Sequence, residues 1–350
     1  MAAPLRIAVA GVGNNISALL QGIHLYRQMA ATDSAVPLPG VTRPVIDGIG
    51  VGDVDIVAAF DVNPEKVGED LANSVFTEPN NYPRLDVSVP EQGVVVSQGL
   101  GAEGCDQRGV VRVIADSGAE VLLYSLPTGL QWAVDAYARA ALSAGTGFVN
   151  CTPEVAARSP ELRAEFERTG LPIVGDDLAS HLGASVVHRA LLQLCVERGI
   201  TLDSSYQLNF GGNEDFRNLR DHGASKKQSK LNALAQGELP YGTVEIIPSA
   251  GHIVQLADRK VAVLNIKGRG WGGTPVSLDV KLEVQDSSNA AGVIIDLVRI
   301  AGACRRSGIG GFPLAASSCL KSPGVQSGVS TGHDVATSAY ETGRLVEPRR

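Results

Sequence analysis

Residues Leu5 to Ala10 form a short apolar run broken only by Arg6, the pattern of a buried strand. Gly11-Val-Gly-Asn-Asn-Ile-Ser17 follows, and then Ala18-Leu-Leu-Gln-Gly-Ile23, so the order reads strand, glycine turn, helix. A Gly/Pro-rich stretch from Val36 to Gly52 interrupts before a second strand, Asp55 to Phe60, which closes at Asp61 with Asn63-Pro64-Glu65 as a helix start. Further apolar runs at Val110–Ile114, Val121–Ser125, Gly147–Asn150 and Pro172–Gly175 are read as strands. They alternate with helical patterns at Leu130–Ala144, Ser159–Thr169 and Ser180–Arg198. This alternation predicts an α/β fold whose mostly parallel sheet is covered on both faces.

The character changes after Gly199. Ser204–Phe210, Val244–Ile247, Lys260–Ile266 and Val276–Val284 alternate apolar with polar residues, which predicts an open sheet with one solvated or subunit-facing side. A helical pattern over Ala290–Ser307 follows, then a Gly-Pro loop and Ala315–Ser322. The Gly/Ser-rich stretch from Pro323 to Arg350 is weakly patterned, and partial flexibility is expected there.

Composition narrows the function classes. The 350 residues are 44% hydrophobic and 19% charged, ordinary globular material, with 40 glycines for tight turns and close approaches. A formal net charge of -7 gives no long-range attraction for nucleic acid or anionic membrane, so an anion must be met by local positive charge. The five cysteines form no CxxC pair, and the six histidines are scattered without metal-ligand spacing. The chain enters its first strand directly, without a signal-peptide pattern, and no apolar run reaches membrane-spanning length, so a cytoplasmic location is expected.

In a glycine turn of this kind, backbone N–H groups approach a pyrophosphate and the helix N-terminus adds partial positive charge. Gly11 and Gly13 stand where this requires, but Ile16 replaces the third glycine. Asn14, Asn15 and Ser17 are able to donate to phosphate oxygens. Asp61 is the candidate for the ribose hydroxyls, and its charge favours NAD over NADP. It lies 48 residues beyond Gly13 rather than the usual ~20, the excess being the Gly/Pro-rich insertion. A helix-capping role for Asp61 stays open beside this one.

Lys226 and Lys230 share a helix face if Ser225–Lys230 is helical, where like charges suit either a solvated face or a bound anion. Lys260 opens an apolar strand and Lys321 follows an apolar run, positions where lysines also snorkel. Asp176-Asp177 close a strand at the edge where doubly wound sheets place ligands, or else cap the next helix. Asn209, Asn213 and Asp215 cluster at a strand end, where turn formation is the alternative. Asp286 precedes the Ala290 helix and reads as a cap.

The combined pattern resembles the myo-inositol-1-phosphate synthases, particularly their shorter bacterial and archaeal branch. The resemblance runs to about Pro323 and rests on Val9-Ala-Gly-Val-Gly-Asn14, Ala58-Ala-Phe-Asp-Val-Asn63, Ser125-Leu-Pro127, Phe148-Val-Asn150, Pro172-Ile-Val-Gly-Asp-Asp177, Asn209 to Asp215, Ser225-Lys-Lys-Gln-Ser-Lys230, Asp258-Arg-Lys260, Asp286-Ser and Leu320-Lys-Ser-Pro323. It implies a Rossmann domain over 1–200, a sheet-based catalytic and tetramerisation lobe over 201–300, and a segment over 301–350 that returns to the first domain. It also implies a homotetramer.

The resemblance implies a redox-neutral reaction as well. NAD oxidises C5 of an open-chain hexose 6-phosphate, the C6 enolate closes onto the aldehyde, and the hydride returns. Lys226, Lys230, Lys260 and Lys321 fall on the family's active-site lysines, where ammonium donors meet developing oxyanions. Asp177 and Asp286 join them, Ser180, Asn209 and Asp215 face the sugar, and Gly11, Gly13, Asn14, Asn15, Asp61, Ser125, Asn150 and Asp286 hold the cofactor.

Two departures from the family pattern, Ala179-Ser180-His181 and Ser249-Ala-Gly-His252, border the substrate side. They leave the sugar open between glucose 6-phosphate, giving an inositol phosphate, and fructose 6-phosphate, closing through C2 to a five-membered cyclitol phosphate. A non-catalytic NAD-binding regulator and an ordinary dehydrogenase are the readings from other classes.

Overall fold

The computed structural model describes residues 3–32, 37–101, 107–219, 227 and 243–324. Strand β1 (Leu5–Ala10) leads through Gly11 into helix α1 (Asn14–Thr32), which starts four residues before its first apolar stretch. The insertion contributes a small hairpin, β2 (Val45–Ile46) with β3 (Ile49–Gly50). Strand β4 (Val54–Asp61) and the short α2 (Leu71–Ser74) and β5 (Val96–Gln98) follow. Then come α3 (Gln107–Ser117), β6 (Val121–Tyr124), α4 (Gln131–Ala144), β7 (Gly147–Asn150), α5 (Pro160–Arg168) and β8 (Ile173–Val174).

Six of these eight strands, all but the β2–β3 hairpin, form one parallel sheet in the order β5-β4-β1-β6-β7-β8. The chain works outward from β1 to β5, then returns past β1 to β6. Strand order therefore reverses between β1 and β6, the crevice where doubly wound sheets take their ligands. All six strands end on one edge, so Gly11, Asp61, Ser125, Asn150 and Asp176 share it.

Val110–Ile114 is helical rather than a strand. Val110 and Ile114 are buried four residues apart while Arg112 between them is exposed, a one-face helical pattern. The third strand of this half is instead Val96–Gln98. Helix α5 takes Ser159 as its N-cap, the hydroxyl accepting from the Leu162 N–H, with Pro160 at the first position.

Helix α6 (Ala184–Glu197) begins later than the sequence pattern predicts. His181 and Leu182 give their N–H groups to the backbone and side-chain oxygens of Asn289, which holds them out of the helix. Strands β9 (Thr201–Gly211), β10 (Thr243–His252), β11 (Arg259–Arg269) and β12 (Pro275–Gln285) form the second sheet, in the order β10-β9-β11-β12. β9 and β10 run parallel, and β11 is antiparallel to β9 and β12. Helix α6 covers one face of this sheet, through Leu192, Ala184, Ala262, Leu264 and Ile266.

The return to the first sheet begins at Asp286, not after residue 300 as the sequence reading divided the chain. Helix α7 (Asp286–Arg306) buries Ile294, Leu297, Val298 and Ile300 completely, in the same core as α1, β1 and β4. Burial of each such side chain contributes ~1.5–3 kcal/mol, enough to commit the helix to that domain. The other face of the first sheet is covered by α3, α4 and α5.

Candidate active site

The glycine turn is held from both sides. Gly11 has φ +92°, and a Cβ there would lie 2.6 Å from the Ser125 carbonyl oxygen, so only glycine lets β1 and β6 close at the switch point. The Val12 N–H donates to Asp61 Oδ2 at 2.8 Å, and the Val12 carbonyl accepts from Lys66 Nζ at 2.8 Å and Asn80 Nδ2 at 3.0 Å. Lys66 is only 3% exposed, and burial lowers its pKa, with the nearby Asp61 charge opposing that. Asp61 Oδ1 also accepts from the N–H groups of Val62 and Asn63, so the carboxylate braces the turn as well as standing at the end of β4. Beyond Gly13 there is open space, and Asn15 Nδ2 reaches Ser125 Oγ at 3.1 Å.

Across the crevice, the second lobe presents a polar cluster. Lys260, at the start of β11, donates from Nζ to Asp286 Oδ1 at 3.0 Å, and its ammonium lies 5.5 Å from the Phe216 ring centroid. Asn213 Nδ2 reaches Asp286 Oδ2 at 3.3 Å and Asp258 Oδ1 at 3.4 Å. Asp258, 1% exposed, accepts from the Ser287 hydroxyl and N–H and from Asn14 Nδ2 at 3.1 Å. Burial and the charge of Asp286 push its carboxyl up to about 6 against these hydrogen bonds. Asn14 in turn takes the N–H groups of Asn81 and Tyr82 on its Oδ1. The glycine turn and the Lys260–Asp286 pair are thus joined by one continuous set of side-chain contacts.

A second ion pair stands at the end of β8. Asp177, with φ +54°, accepts from Lys321 Nζ at 3.0 Å, and the Leu320–Ser322 segment pairs backbone to backbone with Asp176–Leu178. Asp215 reaches the first domain, accepting from Thr128 Oγ1 at 3.4 Å, and Asn218 donates to the Thr128 carbonyl. Ser180 is half-buried on the segment between Asp177 and α6.

Two expected ligand contacts are engaged elsewhere. Asn150 is fully buried, donating to Asp176 and the Glu154 carbonyl while accepting from Thr152, so it shapes the loop after β7. Asn209 is also fully buried, its amide bridging the Ile247 carbonyl and Gln207 inside the second sheet. Lys226 and Lys230 lie outside the described residues. Asp258, Lys66 and Ser287 were not singled out as site residues from the sequence, because their partners are far along the chain.

The departures fall beside this cluster. His252 Nε2 lies 3.2 Å from the Gly212 carbonyl, next to Asn213. His181 lines a mostly apolar cavity of about 640 Å³ with Leu19, Tyr26, Tyr82 and Ile295, between α1 and α7. Among the described residues no group of three or more His, Cys, Asp or Glu side chains is placed to hold a metal, and no helix is long and apolar enough to cross a membrane.

Fold and site together define a Rossmann-type parallel sheet beside a second, four-stranded sheet that carries Lys260. A family model described as myo-inositol-1-phosphate synthase matches residues 183–287, the stretch holding α6 and the second sheet. The inositol-3-phosphate synthase of Mycolicibacterium smegmatis is 40% identical over 364 residues, covering 97% of this chain and 98% of that protein. The crystal structure of Ari2 is 58% identical, with a TM-score of 0.87, covering 97% of this chain and 98% of that one. A myo-inositol-1-phosphate synthase-related protein from Thermotoga maritima shares the fold at a TM-score of 0.78 and 21% identity, covering 99% and 100% of the two chains. The chain belongs to the myo-inositol-1-phosphate synthase family and is an enzyme of the sugar-phosphate cyclase class.

Proposed function

We propose that the chain is a NAD-dependent, redox-neutral cyclase that converts a hexose 6-phosphate to a cyclitol phosphate by an intramolecular aldol step. The observation that carries this reading is the pairing of Lys260 with Asp286, linked through Asn213 and Asp258 to Asn14 of the glycine turn, and of Lys321 with Asp177 beyond the end of β8. The switch point, the glycine cradle and the N-terminus of α1 suit a dinucleotide pyrophosphate. Gly11, Gly13, Asn14, Asn15 and Ser125 would hold it, with Asp61 at the ribose. When bound, NAD supplies the reversible removal and return of one hydride at C5.

The residues of the chain do the rest. An ammonium has three N–H donors, more than one carboxylate oxygen takes up, so Lys260 can hold Asp286 and an anionic oxygen together. Lys321 is placed by its carboxylate partner and by the backbone pairing of Lys321 with Asp177. Donors fixed where an oxyanion develops lower the barrier to enolisation and ring closure. Lys226 and Lys230, Ser180 and Asp215 complete the set toward phosphate and sugar. We also read the enzyme as a cytoplasmic homotetramer, the half-exposed face of the second sheet with Tyr206 and Ile247 being the subunit contact.

Glucose 6-phosphate, giving an inositol phosphate, is the leading substrate. Fructose 6-phosphate is the second reading, because this chain departs from the family pattern at His252, which stands against the Gly212 carbonyl beside Asn213, and changed contacts near the sugar alter which substrate is favoured. Incubation with NAD and each hexose phosphate, followed by ³¹P and ¹³C NMR, tests both. A carbocyclic phosphate without net NADH is expected from one of them. Net NADH accumulation would favour a dehydrogenase, and turnover of neither sugar overturns the proposal.

A further inference from the structure

We infer that Asp258 is a positioning residue that sets the glycine turn against the Lys260–Asp286 pair, so that cofactor affinity depends on its carboxylate. The inference rests on the NAD reading above and goes beyond it in assigning a residue that touches neither cofactor nor sugar. Asp258 joins three elements. Its Oδ1 takes Asn14 Nδ2 from the start of α1, Asn213 Nδ2 from the loop after β9, and the Ser287 hydroxyl from α7. Its Oδ2 takes the Ser287 N–H, and its own carbonyl takes the Asp286 N–H.

An ionised carboxylate is the one side-chain group of this size that accepts all of these at once. An amide in its place sets an NH2 against donors, and a protonated acid does the same with its hydroxyl. Either change takes from Asn14 Nδ2 one of its two acceptors, the other being Asn81 Oδ1 at 2.7 Å, and so loosens the residue whose Oδ1 also holds the N–H groups of Asn81 and Tyr82. Asn81 continues to the Gly212 carbonyl at 3.1 Å, so the loss spreads to both walls of the crevice.

The charged and titratable groups facing Asp258 are few among the described residues. Asp286 from α7 raises its proton affinity, and Lys260 from β11 is engaged with Asp286. Tyr82 approaches from the segment after Asn80, while α1 contributes only the amide of Asn14. His252, on β10, stands one contact away on Gly212.

The test is direct titration of the purified full chain with NAD from pH 5 to 8, using wild type and Asp258→Asn. Hydrogen bonds to a charged group are worth enough that the variant is expected to bind NAD about tenfold more weakly or worse at pH 7.5. Wild-type affinity is expected to fall as pH drops through about 6, and the variant to lack that break. Equal affinities, or a variant that keeps the break, overturn the inference while leaving the NAD reading standing. A lowered melting temperature with both features unchanged marks a purely structural role and overturns it too. Should Asp258→Asn fail to fold, Ser287→Ala removes the hydroxyl donor to the same carboxylate and is expected to move the break to higher pH, and an unmoved break overturns the inference. Failure of the wild-type chain to bind NAD at all overturns the cofactor reading, and this inference with it.

Discussion

Lys321 and Asp177 lie 144 residues apart in sequence and meet as an ion pair at 3.0 Å, with side-chain exposures of 11% and 1%. Removing one member of a buried pair leaves the other charge without that partner, which costs ~3–5 kcal/mol. Lys321→Met is therefore expected to lower stability by that order as well as to abolish turnover. Lys321→Met combined with Asp177→Asn is expected to recover much of the stability but none of the activity. Urea unfolding of the two variants measures the first effect, and carbocycle formation by NMR the second. Recovery of activity in the double variant would remove Lys321 from the chemistry.

Gly11 and Gly13 make opposite demands. At Gly11 the positive φ and the Ser125 carbonyl 2.6 Å from a Cβ mean that Gly11→Ala is strained in the folded state. A loss of ~1–3 kcal/mol in stability is expected, together with weaker NAD binding. A Cβ at Gly13 meets nothing within 4 Å, so Gly13→Ala is expected to keep its melting temperature. It should nonetheless bind NAD less tightly, because the added methyl group keeps a pyrophosphate from the backbone. Calorimetric titration beside thermal unfolding separates the two. Unchanged NAD affinity in Gly13→Ala would place the cofactor elsewhere.

Arg299 shows why the Gly/Pro-rich insertion was opaque in the sequence. The side chain is fully buried, pairs with Asp296, and donates to the carbonyls of Arg43, Pro44 and Ile49. A glycine-rich stretch without periodicity is thereby pinned to α7 across some 250 residues of sequence. Arg299→Met leaves Asp296 buried without this partner and three carbonyls without this donor, so a loss of about 3–5 kcal/mol is expected. Faster proteolysis within 37–52 should accompany it. A change below ~1 kcal/mol in urea unfolding would argue against this role.

What was legible in the sequence is what depends on near neighbours. The strand, glycine turn and helix at Leu5–Ile23 declare themselves by local pattern, and Asp61, Asp177 and Asp286 stand at element ends. Val110–Ile114 failed because a five-residue apolar run does not distinguish a strand from a buried helix face. Val96–Gln98 failed because three residues carry no period. Asn150 closes β7 and Asn209 lies within β9, and the direction of each amide is set by partners that strand pairing brings in. Asp258 gave no local sign, since Asn14 is 244 residues away and Ser287 is 29.

Asp258 also ties stability and cofactor affinity to pH with opposite signs. Burial pushes its carboxyl up to about 6 in the folded chain, against an ordinary value of 3.8. Between those values the folded state holds a proton that the unfolded chain does not, so this group's contribution to stability is present at low pH and is lost as pH rises through about 6. Relative to Asp258→Asn, the wild-type chain is expected to gain on the order of 1 kcal/mol in urea unfolding between pH 7.5 and pH 5. Over that range its affinity for NAD should fall, because the protonated group no longer accepts from Asn14. A stability difference between the two chains that stays flat from pH 7.5 to 5 would show that Asp258 titrates in the ordinary carboxylate range.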